Sequence, residues 1–203
     1  MDADISFLSL TPRGVPLVLP WPSPGLPGGF MQFETGESWR GFVMDLSIDP
    51  LIPMIVQAKF ARAQKLYVLA WLENDLIKAG ELAALVALEL ALNDRYGQRF
   101  GKPGKRKNFA DLLKYMVVGD GLSDAAIPMI VRCGGTAVGL LLGERKPSLA
   151  AIRNGMAHGD PFDALPYGGL LELVRDLIGY AYRDYIAEGC ATGTPSMTSL
   201  GAT

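Results

Sequence analysis

From about Ile55 onward the chain takes on the 3.6-residue apolar period of amphipathic helices, and this limits what it can fold into more than any other feature. Over Gln57–Lys78, Phe60, Leu66, Tyr67, Ala70, Trp71, Asn74 and Ile77 follow the i, i+3, i+4, i+7 stripe. Gly80 is expected to break this helix, and Glu81 to open a second over Glu81–Tyr96. The second helix has an apolar side of Leu82, Leu85, Val86, Leu88, Leu92 and Tyr96. Ala83, Ala84, Ala87 and Ala91 favour helix and permit close packing, and Gly97 is placed to cap the end. With so short a break, the two should form an antiparallel hairpin.

Further helices follow from their caps. Asn108 can cap Phe109–Val118, with Gly119-Asp120-Gly121 ending it. Pro147 and Ser148 begin a segment running to Ala157, in which Leu149, Ile152 and Met156 face inward. A last long helix spans about Gly168–Ala187, with Leu170, Leu171, Val174, Leu177, Ile178, Ala181, Tyr182 and Tyr185 on its apolar face. Pro128 and Gly134-Gly135 leave the stretch between open. The expected fold is all-α: an antiparallel bundle of about five helices.

Residues 1–55 read differently. They hold eight of the fourteen prolines and no strong helical period. β-like pieces lie at Val15–Leu19, Gly29–Phe33 and Trp39–Leu46, so this stretch is expected to be an irregular or β-hairpin arm on the body. The chain thus divides into an arm at 1–55, a helical domain at 56–188, and a loose Gly/Thr/Ser-rich tail at 189–203.

Composition narrows the function classes. In 203 residues, 49% hydrophobic content supports a sizeable core, and a net charge of -2 excludes a globally basic nucleic-acid binder but not a local basic patch. The longest apolar candidate, Ala125–Gly143, is interrupted by Pro128, Arg132 and Gly134-Gly135, so no membrane span is expected. The amino terminus lacks a basic region before an apolar stretch, which makes the cytoplasm the default location. Cys133 and Cys190 are 57 positions apart and form neither a disulfide framework nor a zinc motif. His158 is the sole histidine, so no site can draw two histidine ligands from one chain.

Chemistry concentrates in Arg153-Asn154-Gly155-Met156-Ala157-His158-Gly159-Asp160. Asn154 and His158 are i, i+4 and share a helix face, and Arg153 adjoins them away from the core stripe. A guanidinium, an amide and an imidazole within a turn and a half suit a phosphodiester. Arginine holds phosphate oxygens and stabilises developing charge, and imidazole exchanges a proton near neutral pH. With the 2′-hydroxyl of RNA as nucleophile, the reaction needs no metal. The competing structural reading is a capped helix end, where cations are favoured by roughly 0.3–1 kcal/mol.

A helical domain whose penultimate helix ends in Arg153-Asn154-x-x-x-His158-Gly159, followed by one more long helix, resembles the HEPN superfamily. That family's pattern is Arg, four to six residues, then His, with a polar residue often after the Arg. The resemblance covers about residues 55–188, including the look of the family's opening hairpin at Glu81–Glu89, and leaves out the arm. It implies a homodimer whose two motifs face a shared cleft. In the active branches it implies a metal-independent endoribonuclease of defence or toxin–antitoxin systems, with no cofactor and with RNA and an antitoxin as partners. Other branches bind nucleotides or partner proteins without cleavage. On this reading Arg153 holds the scissile phosphate, His158 is the general acid or base, and Asn154 positions one of them.

Secondary candidates surround this motif. Arg99, Lys102, Lys105, Arg106 and Lys107 form a basic loop that could meet RNA phosphates or be plain solvated surface. Glu73, Asn74, Asp75 and Glu89 could line the cleft or form ordinary salt bridges, and Glu89 lies among Leu85, Leu88 and Leu92. Asp160 reads as a turn residue, Tyr67 and Trp71 as core, and Cys133 as a small buried apolar group. Gly134-Gly135-Thr136 only superficially suggests a phosphate loop.

Overall fold

A computed structural model describes residues 12–100, 108–159 and 165–192. Among these residues the chain is mostly helical, with one two-stranded sheet. The sheet pairs β1 (Leu17–Pro20) with β2 (Phe30–Phe33) in antiparallel register, Leu17 opposite Phe33 and Pro20 opposite Phe30. Leu17 and Leu19 are buried while Val18 is exposed, the alternation of a strand lying on a core.

Eight α-helices follow: α1 (Gly36–Asp45), α2 (Met54–Leu69), α3 (Leu76–Tyr96), α4 (Phe109–Val118), α5 (Pro128–Cys133), α6 (Val138–Leu142), α7 (Leu149–Ala157) and α8 (Leu170–Thr192). The count exceeds the five expected for three reasons. The stretch 128–142 holds two short helices, α5 with Pro128 in its first turn and α6 stopped by left-handed Gly143. The third is α1, where a strand was expected over Trp39–Leu46. Thr35 caps α1, accepting the Ser38 N–H at 3.2 Å. Trp39, Phe42, Val43 and Leu46 then fall at i, i+3, i+4, i+7, a helical and not an alternating period.

The α2–α3 hairpin is present, with its turn at 70–75 and not at Gly80. Gly80 lies inside α3 against the Tyr67 ring, and a β-carbon there would stand 2.6 Å from Tyr67 Cδ2. Helix α4 has its Asn108 cap, whose Oδ1 accepts the Asp111 N–H at 2.8 Å. Helix α7 is capped by Ser148 through the Ala151 N–H at 3.1 Å. Helix α8 runs through residues 189–192, which the sequence assigned to the loose tail.

One core unites the bundle and the arm. Helix α8 buries Leu170, Leu171, Val174, Leu177, Ile178, Ala181 and Tyr182, as expected, but Tyr185 is exposed. The arm adds Trp21, Phe33 and Trp39: Trp21 meets Phe42 and Tyr67 edge to face, at 5.0 Å from Phe42, Phe33 meets Trp39 edge to face at 4.9 Å, and Trp39 stacks on Phe42. Both indole N–H groups are satisfied: Trp39 donates to the Tyr67 carbonyl at 2.7 Å and Trp21 to Glu172 Oε2 at 3.1 Å. No helix among the described residues is long and apolar enough to cross a membrane.

Candidate active site

Helix α7 packs on α3 and α4 through Leu149, Ile152 and Met156, all buried. That packing turns residues 153 and 154 toward the edge of the α3 contact and leaves 157–159 exposed. The last turn ends at His158, whose backbone N–H donates to the carbonyls of Asn154 and Gly155, both at 3.0 Å. Gly159 then leaves the helix at φ +91°, a conformation open to glycine. His158 is therefore a helix-terminal residue with its side chain exposed.

Arg153 is the anchored member. Its Nη2 forms an ion pair with Glu89 on α3, and its Nη1 donates to Asn154 Oδ1 at 2.9 Å. Both partners in the ion pair are largely buried, with the Arg153 side chain 24% and that of Glu89 17% exposed. Screening by water is thus reduced relative to a surface pair. The Arg153 Nε is buried with no hydrogen-bond partner among the described residues. The guanidinium is held in one orientation by an acid from α3 and an amide from its own helix. Five residues further along, just past the last residue of α7, His158 is exposed. The helical rise of about 1.5 Å per residue sets Arg153 and His158 roughly 7 Å apart along the axis. The same five-residue step is about 1.4 turns, so the two residues leave the helix roughly 140° apart around its axis.

Glu89 belongs to a face of α3 that continues through Leu82 and Val86 at i−7 and i−3. Val86 is 38% exposed and Leu82 half-buried, so the acid sits beside apolar surface. Of the four acidic and amide candidates, Glu89 alone meets the motif. Glu73, Asn74 and Asp75 occupy the exposed α2–α3 turn, where Asn74 Oδ1 accepts from Arg13 Nη1 at 3.2 Å. Arg99 is exposed in the 3₁₀ turn Gly97–Phe100 and donates to the Tyr115 hydroxyl at 3.4 Å. Lys102, Lys105, Arg106, Lys107 and Asp160 lie outside the described residues.

Several other candidate residues are structural. Tyr67, Trp71 and Cys133 are core. The Gly134-Gly135-Thr136 turn serves an internal anion: Asp124 accepts from the Thr136 hydroxyl at 2.6 Å and from the backbone N–H groups of Ala137 and Val138 at 2.7 and 3.1 Å. Those bonds, set against a burial cost that works the other way, hold the Asp124 carboxyl below its ordinary pKa. No three His, Cys, Asp or Glu side chains among the described residues converge to hold a metal ion.

Sequence reading missed two buried ionic clusters. Glu172 and Asp176 on α8 gather Arg132 at 2.5 Å, Arg175, and the Met129 N–H at 2.7 Å. Lys78 and Glu81 pair at 3.2 Å inside α3. The signal available for the first was the i, i+4 acidic spacing on an otherwise apolar helix face. For the second it was Lys78-x-x-Glu81 in the middle of the hairpin. No family model, curated protein or solved structure matches this chain.

Proposed function

We propose that this chain is an HEPN-like, metal-independent endoribonuclease that works as a homodimer, in a defence or toxin–antitoxin setting. The observation that carries the reading is the arrangement at the end of α7: a guanidinium fixed by Glu89 and Asn154, five residues before an exposed histidine. Arg153 would hold the scissile phosphate and stabilise its developing charge. A base removes the 2′-hydroxyl proton, the 2′-oxygen bonds to phosphorus, and the bond from phosphorus to the 5′-oxygen breaks. An acid returns a proton to that oxygen. The products are a 2′,3′-cyclic phosphate and a 5′-hydroxyl. Each chain has one histidine, so a two-fold axis beside α7 would supply His158 twice, as base and as acid. The apolar strip of Leu82 and Val86 next to Glu89 is the surface best suited to that axis. Arg99 is the described member of the basic set offered to RNA phosphates.

A second reading has its own support. The Arg153 guanidinium already has an internal carboxylate partner, as expected of a non-catalytic module that binds a nucleotide or a partner protein. Purified protein incubated with single-stranded RNA in EDTA separates the two. The nuclease reading expects cleavage by the wild type and loss of at least about 100-fold in His158→Ala, the scale of a general acid–base group. A folded, dimeric wild type that leaves every RNA intact supports the module.

A further inference from the structure

The Lys78–Glu81 pair is buried, yet the partners outside the pair that it holds are backbone groups of the segment entering α8. Lys78 Nζ donates to the Leu165 carbonyl at 2.7 Å and stands 4.5 Å from the centre of the Tyr167 ring. Glu81 Oε1 accepts the Tyr167 N–H at 2.5 Å. Its other oxygen, Oε2, has Lys78 Nζ at 3.2 Å, and among the described residues no other partner. Glu81 is 0% exposed and Lys78 4%.

The connector at 165–169 is pinned from the opposite side too. Gly168 lies against the Pro20 carbonyl, and Gly169, at φ +70°, is so close to Pro22 that a β-carbon would meet Pro22 Cδ at 2.8 Å. The connector is therefore wedged between the arm and α3. A left-handed glycine, Gly169, leads into α8, and the buried Glu81 accepts from the Tyr167 amide.

We propose that Lys78 and Glu81 form a proton-linked latch on the 165–169 connector, closed when Glu81 is protonated and loosened when it ionises. Water exclusion sets the sign, because a carboxylate with no solvent and one lysine partner is costly to keep charged. The groups facing Glu81 do not reverse this. Helix α3 brings Lys78, which favours ionisation. Helix α2 brings the Tyr67 hydroxyl, whose own proton is held tightly by burial first and by the Glu81 charge second. The connector brings the Tyr167 N–H, which favours ionisation. The buried acid Glu172 on α8 is committed to Trp21, Arg132 and Arg175. Burial outweighs the lysine and the amide, and the carboxyl is pushed up from 4.5 to about 7.

The linkage runs in one direction. A group with a higher pKa in the closed state than in the open state stabilises closure fully below the open-state value, and that stabilisation is lost as pH rises through the closed-state value. Between pH 6 and pH 8, opening of the connector should grow about tenfold. The latch stands apart from the nuclease reading, since it needs neither RNA nor a second subunit.

Amide hydrogen exchange at Tyr167, corrected for the intrinsic pH dependence of exchange, tests the proposal in the full chain. The expected result is about a tenfold loss of protection from pH 6 to pH 8 in the wild type, and little change in Glu81→Gln. Equal pH dependence in both proteins, or none in the wild type, overturns the proposal. Titration of the Glu81 side-chain carboxyl by carbon NMR in the wild type keeps the test decisive if Glu81→Gln does not fold. A midpoint near 7 supports the latch, and one below 5 overturns it.

Discussion

Arg153 shows how much of a site a local motif carries and how much it leaves out. Its place beside Asn154 and five residues before His158 is read directly from the sequence. Its partnership with Glu89, 64 positions away, is not. The hint lay in Glu89 itself, an acid flanked by Leu85, Leu88 and Leu92 and so denied full solvent. The pair should be coupled. Unfolding of Glu89→Ala, Arg153→Ala and the double variant should give a coupling of about 1–3 kcal/mol, as for a hydrogen bond to a charged group. Strictly additive effects would contradict the geometry. Gly80 teaches the reverse lesson. Glycine costs about 1 kcal/mol inside a helix, which made a break the natural reading. The structure keeps the helix because the Tyr67 ring occupies the space a side chain would need. Gly80→Ala should therefore destabilise, by about 1–3 kcal/mol, despite alanine's better helix propensity. Thermal unfolding checks the sign.

At the scale of elements, caps made the sequence legible. Asn108 and Ser148 each accept the backbone N–H three residues on, and α4 and α7 begin where those residues predict. Ser148→Ala should cost about 1 kcal/mol in chemical denaturation and loosen the helix that carries Arg153 and His158. Thr35 sends the same signal for α1, but it stands in residues 1–55, which read as an arm with no strong helical period. Elements of five or six residues, such as α5 and α6, offer too few turns for a period to emerge and rest on tertiary contacts instead. The extra turns of α8 past Ala187 were hidden because Gly189 weakens propensity. In the fold, that glycine lies against Leu51 of the α1–α2 connection.

Across the molecule, polar anchors join parts that sequence reading kept separate. The arm was expected to lie on the body. Its tryptophans instead enter the common core and bond to α2 and α8. Asp120 does similar work where three helices meet: it accepts from Tyr96 at 2.6 Å and from both Nη atoms of Arg183 at 2.8 and 3.0 Å. Burial works to raise its pKa, but the Arg183 and Tyr96 hydrogen bonds prevail and hold it below the usual carboxylate value of 3.8. A carboxyl with a depressed folded pKa stabilises above its unfolded pKa, and the contribution is lost as pH falls through the folded value. Asp120→Asn should thus flatten the acid limb of the stability curve below about pH 4. An unchanged acid limb in thermal melts would contradict this assignment.

The central claim concerns what the end of α7 does to RNA. Its most direct test is the chemistry of the product ends after an end-labelled single-stranded RNA meets purified protein in EDTA, alongside His158→Ala. The account predicts 2′,3′-cyclic phosphate and 5′-hydroxyl ends with the wild type and none with the variant. Intact RNA with a folded wild-type dimer, or equal cleavage by His158→Ala, would contradict it.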